Sequence, residues 1–122
     1  MLKSDCIKSL EVIRVLEKTE CSTMLEFSVP ASSPYYDGHF PGFPILPAVA
    51  QTEIVLRFAD EYLGTGINVS EIRRIKFSNF LLPDKPHLLR FNKSDTILSF
   101  KITSLSGDTV FSQGSFILSE GL

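Results

Sequence analysis

The sequence predicts an α+β domain in which a curved antiparallel sheet wraps around one long central helix. Two strand-like segments, a proline-rich loop, one helical segment and four more strand-like segments follow one another, the order expected of one sheet with one helix. The helical segment is apolar around most of its circumference, so it has to be enclosed on several sides. A length of 122 residues suits one domain, and residues 1–122 are expected to form a single unit.

Two strands are expected before the proline-rich loop. Residues 7–18 partly alternate and are rich in Val, Ile and Leu, which favours a strand, with a short helix as the alternative. Residues 22–29 form the second strand, after a turn at residues 18–21. The loop, residues 30–47, holds five of the seven prolines and both glycines of a G-H-F-P-G run. It is therefore expected to be irregular but rigid.

The helix is expected from Pro47 to Leu63, because proline suits a first helical position and Gly64 and Gly66 then stop the pattern. Four strands follow, separated by turn-forming residues. They are expected at residues 71–80, 87–93, 96–104 and 109–118. On the helix the charged side chains share one narrow arc: Glu53, Arg57, Asp60 and Glu61.

The composition excludes several classes of protein. With 43% hydrophobic and 21% charged residues, the chain is not intrinsically disordered. Cys6 and Cys21 are too few for a disulfide framework or a zinc site, and indicate reduced thiols in a cytoplasmic protein. Charges interrupt the first ten residues, so no secretory signal peptide is expected. Three prolines break the longest uncharged stretch, Gly38–Thr52, so no membrane span is expected.

The net charge of −2 conceals an uneven distribution. Residues 1–72 carry 5 Lys or Arg against 10 Asp or Glu, whereas residues 73–101 carry 7 against 2. The basic segment is either a docking patch for an anionic partner or a set of charges on solvated strand faces. Nucleic acid is not an expected partner, because the chain as a whole is acidic and contains no recognised nucleic-acid-binding motif.

The most informative segment is residues 32–53, S-S-P-Y-Y-D-G-H-F-P-G-F-P-I-L-P-A-V-A-Q-T-E, with the glutamate 14 residues after the histidine. It closely resembles the active-site motif of the (3R)-hydroxyacyl-acyl-carrier-protein dehydratases, which have the hot-dog fold. Ala48 stands where that family usually has glycine, and Arg57 where it often has glutamine. The run I-L-P-A-V-A-Q and the short chain look like the smaller dehydratase-like proteins of aryl-polyene and other specialised acyl chains.

The resemblance implies dehydration of (3R)-3-hydroxyacyl chains on acyl carrier protein to trans-2-enoyl chains. This reaction needs a base at C2, an acid for the hydroxyl on C3 and a polarised thioester carbonyl. His39 is expected to be the base, since histidine titrates near neutral pH, and Glu53 the acid. The backbone N–H groups of Ala48 and Val49, at the positive end of the helix, are expected to bind the carbonyl oxygen.

Further expectations concern the channel and the partners. Gly42 and Phe43 are expected to line the acyl channel. No metal or redox cofactor is implied, because the phosphopantetheine arrives with the substrate. The carrier protein is typically acidic, so Arg73, Arg74 and Lys76 are expected to bind it.

A shared active site is expected as well. Glu53 lies five residues beyond Ala48, about 7.5 Å along the helix axis, which is a long reach for one small substrate. In the resembled family the histidine and the acid come from different subunits. The chain is therefore expected to form an obligate homodimer or a dimer-based oligomer.

Three alternatives stay open. Glu53, Arg57 and Glu61 are spaced as a salt-bridge ladder, and pairing with Arg57 would favour a charged Glu53, which works against acid catalysis. A hot-dog acyl thioesterase is the second alternative, because D-G-H resembles part of the motif of some acyl-CoA thioesterases. The third is a non-catalytic module that binds acyl chains or carrier protein.

Overall fold

A computed structural model describes residues 11–30, 48–63, 69–79, 81–82 and 84–119 of the chain. In these ranges, one antiparallel sheet of six strands carries one helix, which confirms the predicted α+β architecture. The elements are β1 (Glu11–Lys18), β2 (Ser22–Ser28), α1 (Ala48–Leu63), β3 (Val69–Phe77), β4 (His87–Ser94), β5 (Ile97–Thr103) and β6 (Val110–Leu118). The strand order in the sheet is β1-β2-β4-β5-β6-β3, which places β1 and β3 at the two edges.

The predicted boundaries differ from the observed ones mainly at β3. The strand begins at Val69, which pairs with Leu118, and ends at Phe77 rather than at residue 80. The backbone N–H groups of Ser78 and Asn79 both donate to the carbonyl of Phe111 as the chain leaves the sheet. Of the segment 7–18, expected as a strand or a short helix, residues 11–18 form a strand because they pair antiparallel with β2, and residues 7–10 lie outside the described residues.

The core lies between α1 and one face of the sheet. Along β4 and β5 the buried side chains alternate with more exposed ones, as expected for a sheet covered on one face, whereas the last four residues of β2 are all buried. The helix contacts β2 and β4, and the rings of Phe58 and Phe27 meet edge to face with their centroids 5.5 Å apart. Beyond Phe27 and Phe58, the largest buried side chains of this core include Leu25, Ile54, Leu89, Phe91, Leu98, Ile102 and Phe116.

Candidate active site

The described residues contain part of the predicted site. Glu53 lies in α1, and α1 begins at Ala48, so the backbone N–H groups of Ala48 and Val49 are in its first turn. The first four N–H groups of a helix have no partner within the helix, and the helix dipole makes this end electropositive. The predicted base His39, and the predicted channel residues Gly42 and Phe43, lie outside the described residues.

The first turn of α1 is tied to one end of the sheet, where β3 ends and β6 begins. The Gln51 side-chain Nε2 donates to the carbonyl of Asn79 over 3.2 Å. Asn79 in turn donates its backbone N–H to the carbonyl of Phe111, and its side-chain Nδ2 donates to the carbonyl of Val110 over 2.8 Å. These bonds fix the position of the helix N-terminus relative to the sheet.

Gln51 is a residue whose role the sequence analysis missed. Its side chain is buried, and its Oε1 has no hydrogen-bond partner in the described part of the chain. A buried amide oxygen without a partner is costly, so glutamine is an unusual choice at a position that only needs to fill space. The signal in the sequence was a polar residue among the apolar positions of the helix, directly after P-A-V-A.

Glu53 lies on the other side of the helix from Gln51. Two residues along a helix correspond to roughly 200° of rotation, and the buried residues Ile54, Val55 and Phe58 lie on the Gln51 side. Glu53 is nevertheless half-buried, whereas Glu61, two turns further on, is exposed. The acidic arc of the helix is therefore not uniformly solvated. The predicted acid faces away from its own sheet in a partly covered environment.

His87 is a second buried polar residue, and its sequence context predicts no catalytic role. It is the first residue of β4, is 2% exposed and lies between Phe27 and Phe111, whose ring centroids are 5.9 and 4.7 Å from its own. Burial lowers the pKa of His87 to about 4, although a hydrogen bond with the backbone of Lys85 opposes this change. His87 is therefore a neutral core residue at pH 7. His87 lies on the same face of β4 as Leu89 and Phe91, so its burial could have been predicted from the sequence.

The low pKa of His87 predicts a pH-dependent stability. Between pH 6.5 and 4 the unfolded chain protonates this histidine and the folded chain does not, so the free energy of unfolding falls as the pH falls. The expected loss is about 3 kcal/mol across this window. Urea unfolding of the wild type and of His87→Phe at pH 7.5 and 4.5 measures it. If the free energy of unfolding depended equally on pH in the two proteins, His87 would not be the buried neutral group responsible for the loss.

The three predicted docking residues lie on the edge strand β3 and are exposed. Arg73 and Lys76 pair with Ser115 and Gln113, and a bulge lies between them, with Arg74 at φ +53°. Arg73 forms an ion pair with Glu71 on the same strand. The three residues are therefore accessible, but they do not form one uniform row of free positive charge.

In the ranges that the structure describes, no helix has the length and apolar character that crossing a bilayer requires. Within the same ranges, no group of three metal-ligating side chains comes together.

One helix laid against a six-stranded antiparallel sheet, with five residues between the G-H-F-P-G run and the helix, is the arrangement of a hot-dog-fold protein of the dehydratase type. Comparison with known proteins gives the family. The profile of the ApeI-like family, described as ApeI dehydratase, matches residues 15–115. The chain therefore belongs to the ApeI-like dehydratase family, which confirms the resemblance found in the sequence.

Comparison with individual dehydratases supports the family assignment. A chain of the dehydratase heterocomplex ApeI:P from Xenorhabdus doucetiae superposes with a TM-score of 0.79 and 29% identity, over 89% of this chain and 96% of that one. FabZ of Chlamydia trachomatis serovar L2, a 3-hydroxyacyl-acyl-carrier-protein dehydratase, is 31% identical over 107 residues, which are 82% of this chain and 69% of its own length.

Other relatives align over a shorter part. FabZ of Polynucleobacter necessarius subsp. necessarius is 45% identical over 60 residues, which are 43% of this chain and 40% of that relative. The chain thus spans less than half of the length of this relative.

Proposed function

We propose that this protein dehydrates (3R)-3-hydroxyacyl thioesters on acyl carrier protein to trans-2-enoyl thioesters, in fatty acid or aryl-polyene-like acyl chain biosynthesis. The observation that carries the proposal is the position of Glu53 on α1. The residue follows the histidine of the family motif by 14 positions, and it is half-buried on the face of the helix turned away from its own sheet. A structural role in the chain's own core does not explain that position.

The proposed chemistry divides three tasks among the residues of the site. His39 removes a proton from C2, and Glu53 in its protonated form gives a proton to the hydroxyl group on C3, which leaves as water. The N–H groups of Ala48 and Val49 hold the thioester oxygen while negative charge develops on it. The reaction leaves the overall oxidation state unchanged, so it requires no redox cofactor, and His39 and Glu53 supply the base and the acid without a metal. Gly42 and Phe43 line the channel for the acyl chain.

The proposal includes a homodimer with shared active sites. Ile72 of the edge strand β3 pairs with the fully buried Phe116, so it is on the core side of the sheet, yet it is 57% exposed. Phe77, at the end of the same strand, is 39% exposed. A second subunit against this edge would cover both side chains. It would also complete the site on the outward face of α1, where Glu53 lies.

The acyl carrier protein is the proposed partner of the basic residues of β3. Arg73 and Lys76 share the outer face of the sheet. The double variant Arg73→Glu, Lys76→Glu is therefore expected to raise the KM for the acyl carrier protein substrate about tenfold at low salt. Its kcat is expected to stay at the wild-type value. Lys18→Glu, at an exposed position on the opposite edge, is the matched control. Unchanged KM in the double variant would contradict docking at β3. We place this partnership in the cytoplasm.

The function is tested with purified protein and a 3-hydroxyacyl-acyl-carrier-protein substrate. Mass spectrometry of the carrier-bound acyl chain follows the loss of one water, and a thiol reagent follows release of the free carrier thiol. Loss of water without thiol release is the expected result. Thiol release would identify a thioesterase instead. Binding of the carrier without either change, across several chain lengths, would identify a non-catalytic module.

A further inference from the structure

A cavity of about 320 Å³ opens on the outer face of the sheet, on the side away from α1. It lies between β2, β4, β5 and the turn that joins β5 to β6. Its lining includes three apolar side chains, two cations and a hydroxyl group: Met24, Leu88, Leu105, Arg90, Lys101 and Ser106. The volume is within the range of about 300–1,000 Å³ found for small-molecule sites.

The two cations lie directly opposite each other on neighbouring strands. Arg90 of β4 pairs with Lys101 of β5 in the register of the sheet, an arrangement that is unfavourable for like charges. No carboxylate lines the cavity among the described residues. The nearby Glu26, which pairs with Leu88 in the sheet, is engaged by Arg14, with Nε 2.8 Å from Oε1. Among the residues that the structure describes, the two positive charges of the cavity therefore have no negative partner.

The hydrogen bond of Arg90 supports this conclusion. Its Nη2 donates to the thioether sulfur of Met24 over 3.2 Å. A thioether is a weak acceptor, whereas a guanidinium forms its strong bonds with carboxylate or phosphate. Arg90 is therefore available to an incoming anion. That anion would displace only a weak interaction.

The walls of the cavity add an apolar component. Met24 and Leu88 lie beside the cations on β2 and β4, and Leu105 of the turn is 47% exposed. The turn itself is well defined, because the Gly107 N–H donates to the carbonyl of Ser104 and the Ser104 N–H donates to the carbonyl of Thr109. The exposed leucine is thus held at the rim of a cationic cavity.

We propose that this cavity binds an amphipathic carboxylate, of the class of a medium-chain fatty acid. The carboxylate lies between Arg90 and Lys101, and the alkyl chain lies against Met24, Leu88 and Leu105. The site is on the face of the sheet opposite to α1, so it is separate from the dehydration site. Its existence does not depend on the proposed dehydratase activity.

The chain offers a local probe, because its two methionines are Met1 and Met24. With ¹³C-methyl methionine labelling, the spectrum contains two methyl signals, and Met24→Leu assigns them. Titration with octanoate is expected to shift the Met24 signal in a saturable manner. Arg90→Gln and Lys101→Gln are each expected to weaken this binding at least tenfold, and Lys93→Gln, an exposed β4 residue outside the cavity, to leave it unchanged.

Three control ligands test whether the cavity selects an amphipathic anion. Octanol and octyltrimethylammonium are expected to leave the Met24 signal unchanged, since they carry the chain without the carboxylate. Inorganic phosphate is expected to bind more weakly than octanoate, because it carries the charge without the chain. The proposal would be overturned if octanoate caused no saturable shift of the Met24 signal. It would also be overturned if Arg90→Gln and Lys101→Gln bound octanoate with the affinity of the wild-type protein. A shift that only an acyl carrier protein produces would also overturn it.

Discussion

Replacement of His39 by alanine is expected to reduce the rate of water loss from a 3-hydroxyacyl-acyl-carrier-protein by about 10²–10⁴-fold. This range is the usual contribution of one positioned acid or base. The proposed base removes the C2 proton, and alanine has no group that can accept it. Single-turnover measurement by mass spectrometry gives the rate, and circular dichroism shows whether the variant is folded. A folded His39→Ala protein with the wild-type rate would exclude His39 as the base.

Replacement of Glu53 by glutamine is expected to have an effect of similar size, because glutamine keeps the shape of the side chain but cannot donate a carboxylic proton. Glu61→Gln is the matched control: it changes an exposed glutamate on the same helix two turns further on. An activity that survives Glu53→Gln but not His39→Ala would place Glu53 in the salt-bridge ladder with Arg57.

The second large effect concerns the edge strand β3. Ile72→Glu is expected to weaken the homodimer about 100-fold or more, because a charge would be buried without a partner in the subunit contact. If the site is shared, activity falls with the dimer. Light scattering after size-exclusion chromatography measures the molecular mass, and the dehydration assay measures the activity.

Ile97→Glu is the matched control for Ile72→Glu. Ile97 is 42% exposed but lies on the inner strand β5, so it is available to solvent without being at the proposed contact. A dimeric Ile72→Glu protein would exclude the β3 edge as the interface. A wild-type protein that is monomeric on its own would contradict the homodimer and favour a second, different chain as its partner.

Mixing the two catalytic variants tests the shared site itself. If His39 and Glu53 of one site come from different subunits, a mixed dimer of His39→Ala and Glu53→Gln chains contains one intact site. Co-expression is then expected to restore part of the activity that each variant lacks alone. No recovery in an isolated mixed dimer would show that both residues of each site belong to one chain.

The sequence was sufficient to predict the fold because its strands alternate with a period of two. In β4 and β5 the buried positions, such as Leu89, Phe91 and Leu98, alternate with polar or charged ones, so the strands were recognisable without tertiary information. The helix was bounded by Pro47 on one side and glycines on the other. The motif then fixed the family, since its prolines and its histidine-to-glutamate spacing are specific.

Other features depend on contacts between distant segments, so local pattern could not predict them. The buried side chain of Gln51 bonds to Asn79, 28 residues away. The cavity with Arg90 and Lys101 requires the pairing of β4 with β5 and the course of the following turn. A segment rich in positive charge was visible in the sequence. The sequence did not show which residues of that segment share one face of the sheet.

The central claim is that the protein removes water from a carrier-bound 3-hydroxyacyl chain. It is tested most directly by the mass of the phosphopantetheine-linked acyl chain after incubation with wild-type enzyme, for the 3R and the 3S substrates in parallel. Loss of one water from the 3R chain, with the 3S chain unchanged, is the predicted result. The dehydratase function would be contradicted if a folded protein that binds the carrier left the 3R hydroxyacyl chain intact at every chain length.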